Sequence, residues 1–69
     1  MIKDVLNKMI ESGDITPKDI ARGFSEQRLH PMAKVKKILS GKAEPKEGDI
    51  RIIAETLGMT IPELFAGEF

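Results

Sequence analysis

The sequence contains no cysteine. That excludes a disulfide framework and a thiolate metal centre, two devices that often support a small core. It also suits a reducing compartment. No apolar run approaches the roughly 18 residues needed to cross a bilayer. The stretch from Met1 to Asp14 is amphipathic and carries acids. It therefore lacks the basic leader and unbroken apolar segment of a secretory signal, and a cytoplasmic protein is expected. Histidine occurs once, as His30. With no second histidine and no cysteine to join it, neither a metal site nor a cofactor is expected.

Length is the next restriction. A chain of 69 residues forms one domain and buries only about 60% of the surface it exposes when unfolded. Its apolar positions should nearly all serve packing. Such a chain is too short to enclose a substrate pocket. Ser25, His30 and a carboxylate could be imagined as a triad, but no nucleophile elbow accompanies them. Glu47 and Asp49 stand near a helix start, where the dipole favours negative charge without any catalysis. Gly41, Gly48 and Gly58 are spaced as helix punctuation rather than as a phosphate-binding loop. An enzyme is not expected.

What the chain does have is uneven charge. Its formal net charge is zero. Yet residues 28–46 hold Arg28, Lys34, Lys36, Lys37, Lys42 and Lys46 against Glu44 alone, a net +5. The remainder holds five basic and ten acidic residues, a net −5. A local basic patch is what phosphate binding needs, whatever the total. The same patch also suits a merely solvated helix face.

The apolar spacing predicts five short helices and no strand. Ile2, Val5, Leu6, Met9 and Ile10 form one stripe that ends at Gly13 and Asp14. Thr16-Pro17-Lys18-Asp19 opens a second helix, with Thr16 as cap, Pro17 in the first turn and Asp19 reaching back. Ile20, Ala21 and Phe24 are its apolar face, and Gly23 is expected to limit its length. Pro31 starts a third helix that runs to Leu39 or Ser40, with Gly41 in the left-handed position beyond it. A fourth runs from Lys46 or Glu47 to Leu57 on Ile50, Ile53, Ala54 and Leu57. Gly48 near its start costs about 1 kcal/mol against Ala. Thr60-Ile61-Pro62-Glu63 opens a fifth, with Leu64 and Phe65 facing the core. Phe69 has no evident core role and is a candidate dimer contact.

The third helix carries the functional signal. At 100° per residue, Val35, Ile38 and Leu39 share one side, with Met32 at its edge. Ala33, Lys34, Lys37 and Ser40 share the other, with Lys36 between. Small residues let a helix approach a groove floor. Lysines reach guanine O6 and N7 or the flanking phosphates. Lys42 then follows the turn as a second phosphate contact. A short helix, a turn and a helix with a basic outer face is an arrangement that reads DNA.

Ile38-Leu39-Ser40-Gly41-Lys42-Ala43-Glu44-Pro45, followed by Ile50, Ile53, Ala54, Leu57-Gly58-Met59 and Glu63-Leu64-Phe65, resembles the second half of the phage Cro and repressor helix-turn-helix family. The preceding amphipathic helix and Ile15-Thr16, Asp19-Ile20-Ala21 are similar to its first half. The resemblance covers nearly the whole chain. It implies an all-α, compact, five-helix lambda-repressor-like domain that binds double-stranded DNA in the major groove. It also implies a homodimer on a two-fold related operator. The implied activity is sequence-specific transcriptional regulation by covering a promoter.

Three departures accompany the resemblance. Ala21 and Val35 stand fourteen positions apart, which adds roughly four residues to the turn within Ser25 to Pro31. Pro17 replaces a glutamine that in the family touches the DNA backbone. The base-reading positions become Met32 and Ala33, suited to thymine methyls, with Lys37 one turn later. His30, just before Pro31, is expected as a cap or a phosphate contact. The lengthened turn and the Met32-Ala33 pair also suit a protein-interaction module on the same fold. The DNA-binding antitoxin of a toxin–antitoxin pair is a third reading, and an adjacent toxin reading frame would mark it.

Overall fold

The computed structural model describes residues 2–25 and 30–67. Within them every regular element is a helix: α1 (Ile2–Glu11), α2 (Pro17–Phe24), α3 (Pro31–Ser40), α4 (Glu47–Leu57) and α5 (Ile61–Ala66). The protein is thus all-α, as its periodicity predicts. No helix among the described residues is long and apolar enough to cross a membrane.

Local chemistry explains the boundaries. Thr16 caps α2 by accepting from the Asp19 N–H at 3.2 Å, and Asp19 accepts from the Thr16 N–H at 2.9 Å. Thr60 and Glu63 repeat both bonds at the start of α5. Each box satisfies amide donors that a helix start otherwise leaves open. Prolines occupy the first turns of α2, α3 and α5, where a missing N–H removes no helical bond. At the end of α3, Gly41 takes φ +82°. This left-handed turn lets the Gly41 N–H reach the Ile38 carbonyl and the Ala43 N–H reach that of Lys37.

Packing follows the stripes. Leu6, Ile20, Phe24, Val35, Ile38, Ile53 and Leu64 are fully enclosed, each contributing roughly 1.5–3 kcal/mol relative to exposure. Ile50 and Leu57 are only half-buried and lean on this core from its edge. α2 lies against α3 and α4, α1 against α3 and α5, and α4 against α5.

Two side-chain placements differ from the sequence reading. Gly23 does not limit α2, which continues to Phe24. It instead faces α4 closely. A Cβ at Gly23 would collide with the Thr56 hydroxyl and stand 3.1 Å from the Ile52 Cγ2. Leu64 completes the core, but Phe65 does not join it: Phe65 is 54% exposed. α5 has only six residues, so one stripe of it reaches inward, and Leu64 occupies that stripe.

Candidate nucleic-acid interface

α3 is fixed from three sides. Val35 and Ile38 are sealed in the core. The Asn7 Nδ2 of α1 donates to the Leu39 carbonyl at 3.0 Å while also donating to the Lys3 carbonyl at 2.9 Å. Leu39 lies in the last turn, where a carbonyl lacks a helical partner, so this bond fastens α1 to that end. At the other side, Lys34 Nζ lies 3.1 Å from Asp49 Oδ2. Asp49 is 2% exposed and also accepts from the Lys46 N–H at 3.0 Å. One buried carboxylate therefore ties α3 to the first turn of α4. Lysine has no acceptor, so the threonine half of a capping box is missing there and Asp49 supplies the bond alone.

The remaining surface of α3 is a single exposed stripe: Met32, Ala33, Lys36, Lys37 and Ser40. Their spacing of one and four places them along one face. On that face Lys36 lies between Met32 and Ser40. Lys34 leaves this group, being half-buried and engaged with Asp49. The Ser40 Oγ donates to the Lys37 carbonyl at 3.2 Å, which leaves its lone pairs as acceptors. Lys42 follows α3 and Lys46 caps α4, and both side chains are exposed. His30 occupies the N-cap position of α3, makes no side-chain capping bond and is exposed. Arg28 lies outside the described residues, as do Phe69 and most of the turn between Ser25 and Pro31.

Among the described residues, no three His, Cys, Asp or Glu side chains gather as a metal site. Lys36, Lys37, Lys42 and Lys46 are exposed on and after α3, with exposed Glu44 and Glu47 among them. Asp49 stands in the first turn of α4, as expected, but its pairing with Lys34 is what sequence reasoning missed. Its signal was present: Lys34 falls one turn before buried Ile38, and Asp49 falls at the third position of α4. Neither position reveals by itself that the two side chains converge.

Compared with known proteins, the chain matches no protein-family model, no curated protein and no solved structure.

Proposed function

We propose that the protein is a sequence-specific DNA-binding regulator that lays α3 in the major groove of a duplex. The observation that carries this reading is the stripe Met32, Ala33, Lys36, Lys37, Ser40 on a helix whose opposite face is locked in the core. A rigid helix with small residues and lysines outward can approach base edges closely. Lys36 and Lys37 reach guanine O6 and N7 or phosphates, and Met32 and Ala33 meet thymine methyls. Lys42 and Lys46 flank the helix and contact the backbone. Such a protein regulates by occupancy, covering a promoter as a homodimer on a two-fold related site, and has no catalytic role.

The test is fluorescence anisotropy against duplexes tiled from the region upstream of the gene. One tile should bind far more tightly than scrambled DNA. Four phosphate contacts per chain give a slope of roughly −3 to −4 in log affinity against log salt. Affinity per chain should then fall about a hundredfold between roughly 50 and 200 mM salt. Weak, uniform binding to every tile would remove the reading.

A second reading rests on one specific feature. Met32 is 36% exposed beside the small Ala33, which makes the start of α3 apolar. On a protein-interaction module, this end would seat an apolar side chain while the lysines meet acidic residues. Capture of an acidic partner without DNA binding would favour it.

A further inference from the structure

The segment that joins α3 to α4 carries Lys42 and Lys46, the two exposed lysines that flank the stripe on α3. Both ends of this segment are tied back to α3. At its start, the left-handed turn at Gly41 lets the Ala43 N–H donate to the Lys37 carbonyl at 3.1 Å. At its end, Asp49 Oδ2 accepts from the Lys46 N–H at 3.0 Å and meets the Lys34 ammonium at 3.1 Å. One carboxylate oxygen thus joins the backbone of Lys46 to a side chain of α3. The two helices have little else in common. Each packs on α2, and they make little direct contact with each other.

We infer that Asp49 is a positioning residue for DNA recognition: through Lys34 it holds Lys42 and Lys46 at a set offset from Lys36 and Lys37. The inference deepens the proposed function and rests on its DNA reading. A buried ion pair is a poor device for stability alone, because an apolar pair of similar volume is often as stable or more so. What it adds is a directional bond at one position, and fixing register is the best-attested use of such pairs. Register matters here because phosphate contacts set how a helix meets base edges. If the flanking lysines shift against α3, the phosphates they hold no longer place α3 over its bases. Random DNA makes no such demand. It responds to charge, and the shift leaves the exposed lysines in place. Lys34 is half-buried on Asp49 and adds no charge to that surface. The pair therefore serves the specific site and not sequence-independent binding, a split that a purely stabilising role would not produce.

The test is anisotropy of the full chain on the tight upstream tile and on scrambled DNA, with the variant Lys34→Met plus Asp49→Asn. The amide oxygen at position 49 can still accept from the Lys46 N–H, and no buried charge is left stranded. Circular dichroism checks that the helices persist. Affinity for the tile should fall by at least the worth of one mismatched base pair, about fivefold. Affinity for scrambled DNA and the salt slope should stay at their wild-type values. Lys34→Arg, which keeps a cation for Asp49, should retain most of the tile's affinity. A second measurement needs no variant: the initial rates at which the wild-type lysines are acetylated, with and without the tile. Lys36 and Lys37 should be protected by the duplex, whereas the rate at Lys34 should not move. A doubly neutral variant that binds the tile as tightly as wild type overturns the inference. So does a salt slope lower by about one, or protection of Lys34 by DNA, since Lys34 would then touch DNA itself. Either result leaves the DNA reading standing. Weak, uniform binding of the wild type to every duplex removes the DNA reading and this inference with it.

Discussion

The ammonium of Lys34 stands 3.1 Å from the carboxylate of Asp49, which is almost wholly buried between α3 and α4. Removing only the cation leaves a desolvated charge behind. For a fully buried pair that loss is about 3–5 kcal/mol. Lys34 retains a quarter of its exposure, so water can partly replace it and the expected loss is smaller, about 2 kcal/mol. Lys34→Met should therefore lower stability by that amount in urea denaturation. Lys34→Met combined with Asp49→Asn should be less than additive. Additive losses would show that the two side chains act independently.

Gly23 supplies a second test of packing. Alanine is the better helix former by about 0.8–1 kcal/mol, so propensity alone predicts that Gly23→Ala stabilises. The added methyl instead meets Thr56 and Ile52, and overpacking of this kind costs typically about 1–3 kcal/mol. A net loss is expected. Thr56→Ala should recover part of it, because it removes the hydroxyl that the new methyl strikes. A rise in melting temperature for Gly23→Ala alone would refute the close approach of α2 and α4.

Acid should loosen the two capping boxes. Asp19 is held below its ordinary pKa chiefly by the Thr16 N–H, then by the Thr16 hydroxyl, with Arg22 adding a little. Glu63 is lowered in the same way by the Thr60 N–H and hydroxyl. A carboxylate whose pKa is depressed on folding stabilises the fold above its unfolded pKa. That contribution fades as pH falls through the folded value. Stability should thus decline below the usual carboxylate range, about pH 4. A variant with both Asp19→Asn and Glu63→Gln should show a flatter acid limb in thermal melts. An unchanged limb would place the acid sensitivity elsewhere.

How far these features could be read from the sequence depends on whether they are local. The helix ends were legible because Thr16-Asp19, Thr60-Glu63, Pro31 and Gly41 act within one turn of themselves. The inward stripes of α1 and α2 were legible because a 3.6-residue period sorts side chains by face. Lys34, Gly23 and Phe65 were not, since each depends on a helix distant in the chain. A lysine on a helix edge looks the same whether a carboxylate waits beside it or not. A glycine one residue before a helix end looks like a terminator until the neighbouring helix is in place. Leu64 and Phe65 are adjacent apolar residues, and a single turn of α5 can turn only one of them fully inward.

Within the proposed interface, Lys37 and Lys42 should behave differently. Lys37 projects from the outer face of α3, while Lys42 lies past its end. Lys37→Ala should reduce affinity for the tight tile by roughly 1–3 kcal/mol and affect random DNA less. Lys42→Ala should weaken both alike and reduce the salt slope by about one. Equal losses for both variants on both DNAs would remove Lys37 as a base reader.

The central claim is that α3 carries the DNA-binding face, and amide chemical-shift mapping tests it most directly. The ¹⁵N-labelled protein would be titrated with the tightest-binding upstream duplex. The account predicts the largest changes at Ala33, Lys36, Lys37, Ser40 and Lys42, with little change on the outer side of α1. Changes centred on another face, or none with any upstream duplex, would contradict it.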